Sequence, residues 1–188
     1  MKNIAIFASG TGSNARKIID YFEGHSKIKV VLVVANRPDA PVLDMAGAKN
    51  ISTLVINRNY LYESEQLLAE LGRYGVDFIA LAGFLWLAPP YLVKAFKNKI
   101  VNIHPALLPK YGGKGMYGSR VHEAVKNAGE TISGITIHHV NEHYDEGDII
   151  FQATCDITPE DTPATIASKV QQLEHQYFAP IIESLLTG

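Results

Sequence analysis

Short apolar runs alternate with amphipathic segments along the first half of the chain, and this alternation restricts the possible folds more than any other feature. The runs are nearly continuous in Val, Ile and Leu, which is typical of strands covered on both faces, and the segments between them carry apolar residues at helical spacing. This order predicts an α/β fold with a parallel sheet. The expected strands are Asn3–Ala8, Lys29–Ala35, Thr53–Ile56, Asp77–Ala82 and Ile100–Ile103. The expected helices between them are Asn14–Phe22, Val42–Lys49, Tyr62–Tyr74 and Pro90–Phe96.

The rest of the chain continues with a helix, two strand-like runs and a long final helix. With 47% apolar residues, a chain of 188 residues can bury one substantial core and is short for two. We find no internal repeat, low-complexity segment or linker. The sequence therefore predicts a single domain over residues 1–188, with a doubly wound, mainly parallel sheet and helices on both faces. The later elements are expected at Ser119–Asn127 (helix), Ser133–Val140 and Asp148–Asp156 (strands joined by the polar loop Asn141–Gly147) and about Asp161–Leu186 (helix).

Charge and cysteine usage narrow the class of protein. The net charge of -2 and the pI near 6.4 argue against a nucleic-acid binder with a broad basic surface. The single cysteine, Cys155, excludes an internal disulfide and a Cys-based zinc site. No apolar run approaches the ~20 residues of a membrane span, and the N-terminus enters a strand without a charged leader. We therefore expect a cytoplasmic protein that binds small molecules and neither nucleic acid nor a membrane.

A glycine-rich turn, Ala8-Ser9-Gly10-Thr11-Gly12-Ser13-Asn14, joins the first strand to the first helix. Its glycines allow close approach of a ligand, and the helix start offers free N–H groups and a positive dipole end, so we expect a bound phosphate. The dinucleotide pattern is incomplete, because Ala15 stands where a third glycine would be and Ala35-Asn36-Arg37 replaces the expected acid after the second strand. A monophosphate site is therefore favoured over a purely structural turn capped by Ser13.

The segment Val101–Gly113 carries Asn102 and His104 from a strand end into a proline-bounded loop. Alternate side chains of a strand share one face, so the amide and the imidazole can point into one site. Such a pair is suited to stabilising an oxyanion and moving a proton. Asp145, about forty residues later in the polar loop, supplies an acid that can join them. These three residues are the candidate catalytic group.

Four motifs occur in the order and at the spacings of a known enzyme family: Ser9-Gly10-Thr11-Gly12-Ser13-Asn14, Leu81-Ala82-Gly83-Phe84, Asn102-Ile103-His104-Pro105-Ala106-Leu107-Leu108-Pro109 and Asp145-Glu146-Gly147-Asp148-Ile149-Ile150. Over essentially its whole length the chain resembles the phosphoribosylglycinamide formyltransferases. The resemblance implies a Rossmann-like formyltransferase fold. It also implies transfer of a formyl group from the co-substrate 10-formyltetrahydrofolate to the amine of glycinamide ribonucleotide in de novo purine (IMP) biosynthesis. The Asn-x-His-Pro motif is shared by all 10-formyltetrahydrofolate transferases and hydrolases, so it indicates the chemistry and not the acceptor.

The resemblance further implies a role for each matching residue. The catalytic residues are Asn102, His104 and Asp145, with His138 behind them. The residues expected to hold the phosphate and ribose of the ribonucleotide are Gly12, Ser13, Asn14 and Glu174. The residues expected to bind the folate are Leu85, Trp86, Leu87, Asn102, Val140, Asn141 and Tyr144. The other histidines considered, His25, His122, His139 and His143, are expected at the surface or in packing, and we expect no metal and either a monomer or a homodimer.

Two segments depart from the family pattern. Trp86 stands where many members have an arginine, and the change bears on contacts to the tail of the folate. The segment Lys110–Gly118 differs from the shorter loop of many relatives, and four glycines between Leu108 and Arg120 indicate a mobile loop. Its two interpretations are a lid over the phosphate and a variable loop.

Three other functions compete with this interpretation. A 10-formyltetrahydrofolate hydrolase uses the same three residues with water as acceptor but usually carries an N-terminal regulatory domain. A methionyl-tRNA formyltransferase needs a C-terminal domain and a basic surface for tRNA, and we expect neither addition here. A non-catalytic nucleotide-binding module would use the glycine-rich turn alone, and it leaves Asn102, His104 and Asp145 unexplained.

Overall fold

The computed structural model describes residues 1–188, which form seven strands and seven helices. The strands are β1 (Lys2–Ala8), β2 (Ile28–Ala35), β3 (Ser52–Val55), β4 (Phe78–Leu81), β5 (Ile100–His104), β6 (Ile132–His139) and β7 (Ile149–Asp156). The helices are α1 (Ser13–Phe22), α2 (Pro41–Ala48), α3 (Arg58–Tyr62), α4 (Gln66–Arg73), α5 (Pro90–Ala95), α6 (Ser119–Asn127) and α7 (Pro163–Thr187). All strands lie in one sheet of order β3-β2-β1-β4-β5-β6-β7, in which β1 to β5 are parallel and β6 and β7 are antiparallel to their neighbours. The predicted α/β fold with a mainly parallel sheet is confirmed.

Apolar cores cover both faces of the sheet, because alternate residues of each buried strand point to opposite faces. In β1, Ile4 and Ile6 belong to the core that includes side chains of α1, α2, α6 and α7. Phe7 belongs to the opposite core, which includes side chains of α3, α4 and α5. The helices therefore lie on both faces of the sheet, as the near-continuous apolar strands predict.

Two helices differ from their expected bounds by more than one residue. The segment predicted as one helix over Tyr62–Tyr74 is divided between α3 and α4. The Ser64 hydroxyl donates to the Tyr60 carbonyl over 3.1 Å and so takes the acceptor that a continuous helix would offer to a backbone N–H. The final helix starts at Pro163, later than expected. Thr162 is its N-cap and forms a reciprocal capping box with Thr165. None of the helices is long and apolar enough to cross a membrane.

One glycine in β6 has no room for a side chain. A Cβ atom on Gly134 would overlap the carbonyl oxygen of Ala153 in β7 and would lie 2.9 Å from Cδ2 of Leu107. Gly134 pairs with Thr154 across the two strands, so the close approach occurs inside the regular ladder. The position therefore admits only glycine without a displacement of the neighbouring main chain.

The sheet order creates a crevice at the carboxyl ends of the parallel strands. The chain passes from β1 to β2 and β3 on one side and then to β4 and β5 on the other, and ligands of such sheets bind where the strand order reverses. Two hydrogen bonds join the loops at this point. The Ser9 N–H donates to the Gly83 carbonyl over 3.1 Å, and the Ser9 hydroxyl accepts from the Leu85 N–H over 3.0 Å. The glycine-rich turn and the loop after β4 are thereby fixed to each other.

Candidate active site

A cleft of about 700 Å³ opens at this edge of the sheet. Its walls come from the glycine-rich turn, the loop after β4, the end of β5, the segment Gly113–Ser119, the polar loop and one side of α7. With the exception of Asn141, the structure places every residue predicted for catalysis or binding on this wall. The motifs are therefore close together in space, although they are spread over most of the chain.

Asn102 and His138 face each other across the antiparallel pair of β5 and β6. Nδ2 of Asn102 lies 3.1 Å from Nε2 of His138, and Nδ1 of His138 lies 2.8 Å from the carbonyl oxygen of His139. Because a carbonyl only accepts, Nδ1 of His138 carries a proton, and Nε2 is the ring atom directed to the Asn102 amide. His138 therefore touches a catalytic candidate, as expected of a residue behind the catalytic group, and it also lines the cleft.

Asp145 lies in the polar loop with a φ of 57°, a left-handed conformation that Asp tolerates better than most residues. Its Oδ2 accepts from the Gly113 N–H over 2.9 Å, and its Oδ1 lies 3.5 Å from Nδ2 of Asn102 and 3.6 Å from Nε2 of His138. Burial by itself raises the pKa of Asp145, but the adjacent histidines and the Gly113 N–H together hold this pKa below its usual value. The carboxyl group is therefore ionised at neutral pH.

His104 ends β5 and is 3% exposed. Its Nε2 lies 2.7 Å from the carbonyl oxygen of Tyr111, and its Nδ1 lies 3.5 Å from Oδ2 of Asp145. Burial lowers the pKa of His104, and this effect outweighs the raising influence of Asp145 and of the Tyr111 carbonyl. The ring is therefore neutral at neutral pH, and its proton lies on Nε2 because the Tyr111 oxygen only accepts.

Helix α1 starts directly after Gly12, which has a φ of 74° and provides no side-chain cap. The Arg16 N–H donates to the Gly12 carbonyl over 2.8 Å, so the N–H groups of the first turn have no acceptor within the helix. Capping by Ser13, the structural alternative considered from the sequence, is not observed. A Cβ atom on Gly12 would overlap Val42 of α2, so this glycine also allows the two helices to approach each other.

One face of the last helix completes the wall near this turn. Glu174 is half-buried, and its Oε2 accepts from Nδ2 of Asn14 over 2.9 Å. Burial raises the pKa of Glu174, and the hydrogen bond from Asn14 offsets this only in part. Glu174 is the only residue of this helix that was predicted from the sequence to bind a ligand. Helical spacing back from it would also have identified the other α7 residues of the cleft, Ala167, Val170 and Gln171.

The loop after β4 forms an apolar and aromatic part of the cleft. Trp86 packs near Phe84 and Tyr62, with ring centroids 6.1 and 6.4 Å apart, and Cζ of Arg58 lies 4.9 Å from the centroid of the Trp86 ring. The Tyr62 hydroxyl donates to the Leu87 carbonyl over 3.0 Å and so fixes the end of the loop. A cation from α3 therefore lies over the tryptophan that departs from the family pattern.

One placement differs from that expected, and two histidines have an additional position on the cleft wall. Asn141, predicted to bind the folate, does not line the cleft, because its side-chain oxygen accepts from the His143 N–H over 2.9 Å and closes a turn. His143 and His122, assigned from the sequence to the surface or to packing, both line the cleft. His122 is 6% exposed, and its Nδ1 is buried without a hydrogen-bond partner. No group of three or more His, Cys, Asp and Glu side chains in the chain is arranged to hold a metal ion.

The glycine-rich segment before α6 also belongs to the cleft wall. Residues Gly113–Ser119 all line the cleft, and Lys114 is among them. Their position allows contact with a bound ligand, as a lid requires. This placement favours the lid interpretation over that of a variable surface loop.

Comparison with known sequences gives a consistent family. A sequence model described as formyl transferase matches residues 2–182. The chloroplastic phosphoribosylglycinamide formyltransferase of Arabidopsis thaliana is 42% identical over 98% of this chain, and that of Vigna unguiculata is 38% identical over 98%. This chain spans only 65% and 61% of the lengths of these two plant relatives. The phosphoribosylglycinamide formyltransferase of Bacillus subtilis is 35% identical, over 99% of this chain and 95% of the relative.

Comparison with solved structures agrees. The crystal structure of phosphoribosylglycinamide formyltransferase from Bacillus halodurans has a TM-score of 0.88 at 34% identity, covering 99% of this chain and 96% of that one. The crystal structure of glycinamide ribonucleotide transformylase 1 from Geobacillus kaustophilus also has a TM-score of 0.88 at 34% identity, covering 99% of both chains. The similarity in three dimensions therefore extends over almost every residue.

Proposed function

This chain belongs to the formyl transferase family, and we propose that it transfers the formyl group of 10-formyltetrahydrofolate to the amine of glycinamide ribonucleotide in purine biosynthesis. The observation that carries the proposal is the composition of the cleft. An uncapped helix start and the half-buried acid Glu174 lie on the same wall as an aromatic loop and the group Asn102, His104 and Asp145. We further propose that residues 1–188 act as one formyltransferase domain. The cytoplasmic location and the monomeric or homodimeric state stay predictions.

The proposed site for the ribonucleotide is the wall made by α1 and α7. The N–H groups of Gly12, Ser13 and Asn14 would receive the phosphate, since a helix start provides donors and a positive dipole end. Glu174 would accept from the ribose hydroxyls. Oδ1 of Asn14 is buried without a hydrogen-bond partner, so it offers a further acceptor to the substrate. A phosphate and a sugar together match this set of donors and acceptors.

The proposed site for the folate is the loop after β4 together with the polar loop. Leu85, Trp86 and Leu87 supply apolar surface, and Val140 and Tyr144 line the same cleft. Flat heterocycles bind well between apolar walls that carry a few polar main-chain groups. A cleft of about 700 Å³ is within the range of roughly 300–1,000 Å³ typical of small-molecule sites. The residues present therefore fit a pteridine-containing co-substrate.

The proposed reaction begins when the substrate amine attacks the formyl carbon and creates a tetrahedral intermediate with a negatively charged oxygen. One N–H of Asn102 is directed to His138, and the other has only the 3.5 Å contact with Asp145. This second N–H can therefore donate to an oxyanion that binds beside Asp145. Removing one such donor typically costs ~10²–10³ in rate.

Asp145 is the proposed acceptor of the proton that the amine loses, directly or through water. Because its pKa is lowered, the carboxylate is a weak base. It therefore suits the acidic proton of the cationic amine adduct better than that of a free amine. Nδ1 of His104, 3.5 Å from Oδ2 of Asp145, offers a second position for the proton. When the bond from the formyl carbon to N10 breaks, the proton passes to N10, so the reaction proposed here has no net proton change and uses no metal ion.

A 10-formyltetrahydrofolate hydrolase is the second candidate, because it would use the same three residues with water as acceptor. The Asn14–Glu174 pair and the uncapped start of α1 favour the transferase. A hydrolase needs no site for an amine acceptor. A non-catalytic nucleotide-binding module would need only that wall, and it gives no reason for the buried contacts of His104 and Asp145.

An absorbance assay for the folate product, run with and without glycinamide ribonucleotide, tests the proposal. Product that forms only with the ribonucleotide supports the transferase, and product that forms without it supports the hydrolase. The matched control is the nucleoside that lacks the phosphate, which should react far more slowly at equal concentration. A preparation that binds the ribonucleotide but forms no product in either condition would leave only the binding module.

A further inference from the structure

The imidazole of His104 is oriented by the main chain of the loop that follows it. Its Nε2 donates to the Tyr111 carbonyl over 2.7 Å, and this is the shortest contact of the ring. The bond assigns the proton to Nε2 and leaves Nδ1 directed to Asp145. The direction of this carbonyl therefore decides which nitrogen His104 presents to the cleft.

Tyr111 holds its carbonyl in an unusual backbone conformation, with a φ of 57°. Non-glycine residues are uncommon there and persist when the surroundings fix them. The surroundings here combine packing of the ring against the apolar core with specific polar contacts of the hydroxyl. The Tyr111 hydroxyl donates to Oε1 of Glu130 over 2.8 Å, and Nζ of Lys110 donates to the same oxygen over 2.8 Å. The phenol thus anchors Tyr111 to the turn between α6 and β6.

The same loop also holds Asp145. The Gly113 N–H donates to Oδ2 of Asp145 over 2.9 Å, two residues after the carbonyl that holds His104. Gly112 between them has no free space, because a Cβ atom there would overlap the Leu108 side chain and lie 3.2 Å from Cβ of Asp145. A short stretch of main chain therefore sets the relative orientation of the acid and the imidazole.

We propose that Tyr111 is a positioning residue for the formyl transfer: its phenol, anchored on Glu130, keeps its own carbonyl against Nε2 of His104 and so presents Nδ1 to Asp145 and the reacting atoms. The inference rests on the proposed function for its catalytic part and on geometry for its structural part. Tyr111 itself touches no reacting atom, since it acts through the ring of His104.

The variant Tyr111→Phe tests this inference, because it removes the hydroxyl and keeps the ring. We expect kcat to fall about fivefold to tenfold, the effect of a lost hydrogen bond on the order of 1 kcal/mol, with both KM values unchanged. Tyr21→Phe is the matched control. It removes another phenol–carboxylate bond, to Glu183 at the surface, and should leave kcat unchanged. An equal loss of kcat in the two variants would overturn the inference.

Nitrogen-15 NMR of the histidine rings measures the tautomer of His104, which would not change if Tyr111 had only a structural role. The signals of His104 are identified by their absence from His104→Ala. The wild type should show the Nε2–H tautomer, and Tyr111→Phe should show an increased share of Nδ1–H. A variant with the wild-type tautomer and wild-type kcat would leave Tyr111 as a packing residue only.

Substitutions of Glu130 test the same inference if Tyr111→Phe fails to fold. Glu130→Ala should reproduce the tautomer change of Tyr111→Phe, and Glu130→Gln, which keeps an acceptor for the phenol, should be milder. The spectra are recorded without substrate, so they test the positioning role of Tyr111 independently of the proposed formyl transfer. A wild type without formyl transfer would overturn the proposed function, whereas an Nδ1–H ring in the wild type would overturn the positioning role.

Discussion

Asn14 and Glu174 are joined by a 2.9 Å hydrogen bond although 160 positions separate them in the chain. The bond connects the first turn of α1 to α7, so one wall of the cleft depends on contact between the first helix and the last. Burial raises the pKa of Glu174, which means that the fold disfavours the ionised form of this carboxyl group. A carboxyl group whose pKa is raised by burial beside a cleft is typical of a binding residue.

Glu174→Gln should raise the KM for the ribonucleotide about tenfold or more, the size expected for losing a hydrogen bond to a charged group. The KM for the folate should not change. Steady-state kinetics with each substrate varied in turn measures both values. Glu183→Gln, on the same helix but away from the cleft, serves as control and should alter neither.

Glu174→Gln should not lower the melting temperature at neutral pH. The folded pKa of Glu174 is above its unfolded value, so the wild type loses stability as the pH rises from the unfolded pKa through the folded one. Glutamine has no such loss. Thermal unfolding at acidic and neutral pH should therefore show the variant gaining relative to the wild type as the pH rises, and a constant difference would contradict the pKa shift.

Asp145→Asn should lower kcat by about 10²–10⁴-fold, because the charged proton acceptor is lost. Asparagine also tolerates the left-handed backbone of this position, so the polar loop should keep its shape. Asp148→Asn is the control, since Asp148 is exposed three residues further along. Near-normal turnover of a folded Asp145→Asn enzyme would remove Asp145 from the mechanism.

His104→Ala should lower kcat strongly with little change in either KM. The pKa of His104 is lowered from 6.5 by burial, so the neutral ring that the proposed mechanism uses is lost only when the pH falls below that ordinary value. The wild-type pH profile should therefore decline on the acid side below 6.5, and the variant should lack this contribution. A variant that unfolds more easily yet turns over normally would show that His104 only packs.

Trp86→Ala should raise the KM for the folate roughly fivefold, as expected for an aromatic contact on the order of 1 kcal/mol, and should leave the KM for the ribonucleotide unchanged. Trp86→Phe retains a ring at the same place, so its KM for the folate should lie between those of Trp86→Ala and the wild type. Initial rates over a range of folate concentrations make the measurement. A parallel rise in both KM values would indicate collapse of the loop.

Much of the fold could be predicted because its signals are local. Apolar strands and helical spacing identified the sheet, and strand alternation placed Asn102 and His104 in one cleft. The break between α3 and α4 was missed, since it depends on the Ser64 hydroxyl and carries no glycine or proline.

The unpredicted parts of the site depend on main-chain direction. The Tyr111 carbonyl and the Gly113 N–H could not be identified from side-chain types, because any residue has these groups and the loop conformation alone directs them. The position of His122 on the cleft wall was not predicted, for a related reason. A histidine on a helix has the same local pattern whether it faces a core or a cleft.

The lack of space for a side chain at Gly134 restricts the register in which β6 can pair with β7. A slip of β6 by one residue would exchange His138 for a neighbour opposite Asn102 and turn every side chain of the strand to the other face. The slip would also move Ser133 or Ile135 against the Ala153 carbonyl, where not even a methyl group fits. The main chain of β7 therefore rejects such a slip of β6, and the alignment of His138 with Asn102 depends on a glycine that lies outside the cleft.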